Sequence, residues 1–371
     1  YKKSHRLDLS ESFNIEKGEN NSTNIRSAQI NERQLTSSNY SVSQNNFNRS
    51  DFTFRANYSY QNYNNWKQRF KSFDASYEVN ARDQDNYRTE LTAFRDLLNG
   101  ANNRDFNRRY QTDSKKITQD MTLSFTNLKS IFFGNKDLNG FDAKISGKIN
   151  ISDNRDRNFI EDYKTGQYQK NEYLSNNLQT DQTDFTQEFT LSKSFQKHLS
   201  NRYYKDLRID VALAQQFINQ NNQSDRSFQN IKRSYRNFVP RIAINAFNSQ
   251  TGSYQQNLTV EYRTAIVIPT IAQLAPLTDS TNLYNLQRGN VNLKEELNRS
   301  VNLSFSHYDT KNKNTLNFNF NGSAGIIDNA IIDSTFIDQQ SRRSVYLTNS
   351  NGSKYVNFGG YLRKSVKLKN S

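Results

Sequence analysis

Residues 51–60 read Asp51-Phe52-Thr53-Phe54-Arg55-Ala56-Asn57-Tyr58-Ser59-Tyr60, with an apolar or aromatic side chain at every second position and a polar one between. Successive side chains leave a strand on opposite sides, so this period of two describes a strand with one oily and one wet face. The pattern returns at Phe73, Ala75, Tyr77, Val79 and Ala81, at Phe141, Ala143, Ile145, Gly147, Ile149 and Ile151, and at Leu316, Phe318 and Phe320. A soluble two-sheet sandwich needs aliphatic bulk on two inner faces, yet hydrophobic residues are only 33% of the 371 and mean hydropathy is -0.97. The oily side therefore fronts lipid and the polar side a wet lumen. The expected fold class is all-β: an antiparallel transmembrane β-barrel of outer-membrane type, here an incomplete barrel segment.

No break in composition divides residues 1–371, which read as a single transmembrane β-barrel domain. Low hydropathy alone would suggest disorder, but disordered chains are poor in aromatics, and this one places 25 Phe and 21 Tyr with period two. Asn is the commonest residue and there are only 3 Pro, so helical bundles and Pro-rich filaments are excluded. With no cysteine there is no disulfide framework and no Cys-type zinc site. No run approaches the ~20 apolar residues of a membrane helix, so any crossing is made by strands, which need about 9 to 11 residues each. The start, Tyr1-Lys2-Lys3-Ser4-His5-Arg6, lacks the apolar core of a signal peptide. Leu7, Leu9 and Phe13 already read as strand positions, so the sequence is expected to begin inside a fold. The net charge of +14 is interspersed with acids, as in Asp153-Asn154-Arg155-Asp156-Arg157, which reads as solvated loop tips and not as a nucleic-acid partner's footprint.

Candidate strands cover 7–15, 37–47, 52–60, 70–81, 87–94, 117–128, 141–151, 184–194, 207–217, 241–247, 255–264, 301–308, 316–326 and 355–368. Residues 248–254 and 309–314 read as hairpin turns. Residues 99–114, 155–183, 219–236 and 328–344 read as polar excursions into water. Outer-membrane barrels have short periplasmic turns and long extracellular loops, so the unequal connections supply an orientation. Trp66, following Tyr58, Tyr60 and Tyr63, fits an aromatic girdle.

Catalytic chemistry is not legible. His5, His198 and His307 stand apart, there is no Gly-rich phosphate loop or nucleophile elbow, and the adjacent acids Glu161-Asp162 and Glu295-Glu296 point to opposite faces of a strand. The chain reads as a non-enzyme without cofactor or metal.

From Tyr262 the sequence runs Tyr-Arg-Thr-Ala-Ile-Val-Ile-Pro-Thr-Ile-Ala-Gln-Leu-Ala-Pro-Leu-Thr-Asp and later Arg288-Gly289-Asn290-Val291-Asn292-Leu293-Lys294-Glu295-Glu296. This stretch resembles the late-barrel pattern of TonB-dependent outer-membrane receptors and the related outer-membrane-protein β-barrel family. Pro269, Gln273, Leu274, Pro276, Asp279, Gly289, Asn290, Leu293, Lys294 and Glu296 stand at the matching positions; Val291 and Glu295 replace the usual prolines. Pro269 lacks an amide hydrogen and suits a place where ladder bonding ends, and Gly289-Asn290 suit a turn, so these residues read as architectural. The resemblance implies a location in the outer membrane of a Gram-negative bacterium, contact with outer-membrane lipid, and a TonB-type energy-coupling partner acting through a plug region not recognisable here. It also implies uptake of a scarce small solute. A passive pore or structural barrel without a plug, and a secreted β-rich adhesin, are the alternatives.

Overall fold

The computed structural model describes residues 2–30, 34–63, 71–97, 100–129, 138–199, 202–277, 286–311, 315–337 and 343–366. Long antiparallel strands dominate it. In chain order they are β1 (Lys2–Ile30), β2 (Gln34–Tyr63), β3 (Lys71–Asp96), β4 (Arg104–Thr126), β5 (Phe141–Lys164), β6 (Gln167–Lys170), β7 (Asn176–Leu199), β8 (Tyr203–Ser224), β9 (Lys232–Phe238), β10 (Arg241–Gln250) and β11 (Tyr254–Val267). The short β12 (Leu286–Arg288) precedes β13 (Glu296–Asp309), β14 (Leu316–Asp328), β15 (Ala330–Ile337), β16 (Arg343–Ser350) and β17 (Ser353–Lys364).

The main sheet runs β1-β2-β3-β4-β5-β7-β8-β10-β11-β13-β14-β17, with β6 added to β5 and β9 to β8. Each neighbour on that path follows in chain order apart from the inserted short strands, which is the meander of an up-and-down sheet. Among the described residues β1 bonds to β2 alone and β17 to β14 alone, so the sheet is open between them. A second sheet, β12-β16-β15, stands at one end.

The alternating stretches are strands where the sequence places them, but the strands are far longer. Residues 37–47 and 52–60 form one continuous strand, β2, and 71–81 with 87–94 fall in β3, residue 70 lying outside the described residues. The polar excursions shrink correspondingly. β4 begins at Arg104, β5 continues to Lys164, and β8 continues to Ser224. Most of the expected loop at 328–344 is strand: β15 and β16 pair from Ala330 with Ser350 to Ile337 with Arg343, while 338–342 lie outside the described residues. These segments are mostly polar on both faces, and the few oily residues among them, such as Tyr110, Ile160, Val345 and Leu347, are buried. Side-chain pairs tie neighbouring strands together here: Thr112 to Asn158 at 3.2 Å, Ser114 to Asp156 at 2.6 Å and Thr180 to Asn222 at 2.9 Å.

The two ends differ. At one, β10 and β11 are joined by Thr251-Gly252-Ser253, where Gly252 takes φ 73°. At the other, β5 turns into β6 through Thr165 and Gly166 at φ 49° and 86°, a two-residue turn whose double positive φ favours glycine. That second end carries the extended strands, β6, β9 and the small sheet. Of the expected turn at 309–314, Asp309 closes β13, while 312–314 lie outside the described residues, as does Trp66.

Candidate functional site

The sheet has two chemically distinct faces along its whole width. The rung through Leu9 passes Ala56, Tyr77, Met121, Ile149, Phe185 and Phe217. The next rung, one residue along and on the opposite face, passes Asp8, Asn57, Ser76, Thr122, Lys148, Thr186 and Gln216. Beyond β8 the division persists: Leu207, Ala246, Leu258, Phe305 and Phe320 share one rung, and Arg208, Asn245, Thr259, Ser304 and Asn321 its neighbour.

The apolar residues form stripes along the strands, among them 7–15, 52–60, 73–81, 117–125, 141–151, 185–195, 207–217, 258–266 and 318–326. Polar members such as Glu11, Gln119 and the facing Gln187 and Gln215 interrupt it. Among the described residues nothing covers this belt. Leu9 is 62% exposed, Met121 42% and Phe358 81%. A contiguous apolar surface this wide marks contact with another phase or partner.

The belt also runs obliquely across the strands. The rung through Glu11, midway along the stripe of β1, arrives at Asn219 on β8, seven residues beyond the stripe midpoint at Ala212, after six strand-to-strand steps. The rung through Gly322, the midpoint on β14, arrives at Lys193 on β7, three residues from that stripe's midpoint, after five steps. Taken together the two rungs drift by about 0.9 residue, or about 3 Å, per strand spacing of about 4.8 Å, which sets the strands about 30–35° from the belt's normal. A nine-residue stripe leaning at that angle stands about 22 Å tall. Strands tilted about 35–45° under a one-sided apolar band about 25 Å high define the wall of an outer-membrane-type β-barrel.

The opposite face is a lattice of paired charges and amides. Arg55 pairs with Glu78 at 2.7 Å, Asn80 donates to Glu78 at 2.9 Å and Thr53 to Asn80 at 2.8 Å. Arg49 and Arg82 both reach Asp51 at 2.7 Å. Asn150 donates to Asp120 at 3.0 Å, Gln216 to Asp184 at 2.6 Å, and Arg241 pairs with Glu261 at 3.3 Å. Such a surface is satisfied beside water and incompatible with lipid.

Above the belt the chain after β11 folds over this polar face. Pro269 is fully buried where β11 ends, and Thr270 with Gln273 forms a capping box on a single helical turn, Ile271–Leu274. Leu274, Leu293 and Leu347 make a small core with Ile231 and Ile331, and Leu277 packs on Tyr110, Ile160 and Leu174. The Asn290 amide hydrogen goes to the Gln273 carbonyl at 3.0 Å, and its side chain donates to the Leu347 carbonyl at 3.0 Å. Gly289 passes so close that a Cβ would overlap Pro276 and the Leu274 carbonyl. The Lys294 amide donates to Asn349 at 2.8 Å, and Glu296 accepts from the Ile331 amide. The structure thus brings Pro269, Gln273, Leu274, Pro276, Gly289, Asn290, Leu293, Lys294 and Glu296 into one folded loop; Asp279 lies outside the described residues.

Residues remote in sequence fasten that loop. Arg233 on β9 donates to the carbonyls of Val291 and Leu293, and the buried Gln229 donates to the Ala275 carbonyl at 3.0 Å while accepting from Asn176 and Ser224, each at 2.9 Å. No local pattern marks Arg233 or Gln229, because their partners lie some 45 to 60 positions away in the chain. Beneath the loop Arg108, 3% exposed, pairs with Asp162 at 2.6 Å, and Asn171 completes the carboxylate at 2.7 Å.

The histidines are separate, as the sequence places them. His5 meets the Tyr58 hydroxyl at 2.9 Å, His198 lies against Tyr204, and His307 sits 3.2 Å from Asp309. At that turn the Leu316 amide, with help from His307 and Lys311, holds the Asp309 carboxyl below the usual carboxylate range.

Neither a protein-family model nor a curated protein matches the sequence. Among solved structures, a copper transporter, OprC, aligns at 10% identity and TM-score 0.42, over 99% of this chain and 59% of that one. A double mutant of the Serratia marcescens hemophore receptor HasR, solved with its hemophore HasA and heme, aligns at 10% identity and TM-score 0.39, over 89% of this chain and 52% of that one. The ferric enterobactin receptor PfeA of Pseudomonas aeruginosa, solved as an R480A mutant with enterobactin, aligns at 9% identity and TM-score 0.26, over 93% and 60%. The chain spans between half and three-fifths of the length of these structures.

Proposed function

We propose that this chain is part of the wall of an outer-membrane β-barrel that takes up a scarce solute across the outer membrane of a Gram-negative bacterium, with TonB-type energy coupling. The oblique apolar belt carries the reading. A tilt of about 30–35° between belt and strands is close to what a closed barrel standing upright in a bilayer requires, and a soluble adhesin has no use for it. The end with the extended strands faces outward and the end with Thr251-Gly252-Ser253 faces the periplasm. The loop folded across the polar face favours a receptor-type transporter over an open pore, since it occupies the wet side above the belt. Its matched residues act as its architecture, through the contacts described above, and residues 1–371 belong to one barrel domain.

The test is reconstitution and uptake. The chain within its complete protein should partition with detergent and co-float with lipid vesicles, and uptake in cells should stop when the inner-membrane proton gradient is collapsed. Recovery in buffer without detergent would refute the barrel. Uptake indifferent to the gradient would leave a barrel and refute energy coupling.

A further inference from the structure

Toward the Gly252 end, the stripe on β7 and β8 closes with Phe195 facing Leu207, and the next rung on the same face sets Lys197 directly opposite Lys205. Side chains so placed stand about 4.5–5.5 Å apart at Cβ, where like charges repel. A third lysine, Lys193, shares the face. Its ammonium lies 4.2 Å from the centre of the Phe141 ring and 5.2 Å from that of Phe195, and donates to the Asn139 carbonyl at 2.6 Å. The Lys205 ammonium lies 5.3 Å from the Tyr203 ring centre. These are lysines whose stems follow oily surface while their heads gather at its border.

Among the described residues no acidic side chain pairs with these three lysines. Below the stripe, the described residues on this face of β10 and β11 are Asn248, Gln250, Gln256 and Tyr254, and Asp206 beside Lys205 points to the polar face. Asp309 stands three strands from Lys205, already engaged by Leu316 and His307. At the opposite border of the belt two cations have acidic partners: Lys115 meets Asp83 at 3.2 Å and Arg155 meets Asp153 at 3.0 Å. Three ammonium groups with no acid paired to them among the described residues, ranged along the edge of an exposed apolar surface, fit a ligand with an anionic head and an oily body.

We propose that Lys193, Lys197 and Lys205 bind the phosphate of an anionic glycerophospholipid in the leaflet on the Gly252 side, its acyl chains lying along Phe195, Leu207 and Ile209. The proposal rests on the membrane reading and names the lipid class. A phosphate between Lys197 and Lys205 replaces their repulsion with a shared counter-ion. Each lysine near a membrane surface strengthens anionic-lipid binding about fivefold, so the facing pair together contribute about thirtyfold.

The experiment uses the full chain in nanodiscs of equal phosphatidylglycerol and phosphatidylcholine, with the lipid retained after detergent extraction counted by native mass spectrometry. The wild type should retain phosphatidylglycerol preferentially, and the double variant Lys197→Gln, Lys205→Gln should lose about thirtyfold of that preference. Circular dichroism checks its fold; if the double variant does not fold, each single variant should lose about fivefold. Equal retention of both lipids by the wild type, or an undiminished preference in the variants, overturns the proposal. Displacement of the lipid by inorganic phosphate would overturn the lipid assignment in favour of a free anion. A chain that does not enter the bilayer overturns the membrane reading as well.

Discussion

Replacing Met121 by Arg tests the belt at its centre. Met121 is the midpoint of the β4 stripe at 117–125 and sits in the wholly apolar rung between Tyr77 and Ile149. If the belt is the lipid contact, this position lies at the bilayer midplane, where an arginine on the lipid face of a barrel costs about 2–4 kcal/mol. Four residues further along the same face, Phe125 lies about 11 Å from the midplane once the tilt of about 30–35° is applied to a rise of about 3.3 Å per residue. There the same arginine should cost about 0–1 kcal/mol. Ser76, one rung away on the polar face between Asn57 and Thr122, should accept arginine almost without effect. Reversible guanidinium unfolding of the three variants from lipid vesicles gives the three free energies. The expected order is Met121→Arg far above Phe125→Arg, with Ser76→Arg near zero. Equal costs at Met121 and Ser76 would refute the assignment of faces, and equal costs at Met121 and Phe125 would refute the tilt and depth.

Cysteines placed at Gln167 and at Thr251 should react with an impermeant thiol reagent from opposite sides of the outer membrane, Gln167 on intact cells; labelling of both from one side would refute the antiparallel span between them. Gly289→Ala should release the loop from the polar face, because overpacking against Pro276 and the Leu274 carbonyl costs about 1–3 kcal/mol. Limited proteolysis should then cut between α-helical turn Ile271–Leu274 and β13 faster than in the wild type, and an unchanged rate would count against the close approach. The carboxyl of Asp309 is held low, so its support of the β13–β14 turn is present above the ordinary carboxylate value near about 4 and is lost as pH falls through the depressed native value. Hydrogen exchange at the Leu316 amide should accelerate over that acid range, and Asp309→Asn should abolish the pH dependence.

The sequence by itself determined the class of fold and the two faces of every strand within the belt. The reason is local: a side chain's face follows from its parity along the strand, so Phe52, Phe54 and Tyr58 had to share one side and Arg55 and Asn57 the other. It also marked Pro269, Gly289 and Asn290 as a place where the ladder stops and the chain turns. Strand length was not legible, because above the belt both faces carry mostly polar side chains and no oily-to-wet contrast separates strand from loop; the cross-strand bonds of Ser114 with Asp156 and Thr180 with Asn222 exist only once registers are set. Nor was the tilt, which is a relation between stripes on different strands and is invisible in any one of them. The fastening of the loop by Arg233 and Gln229, and the facing of Lys197 by Lys205, were likewise decided by tertiary structure, since only register brings residues from separate strands onto one rung.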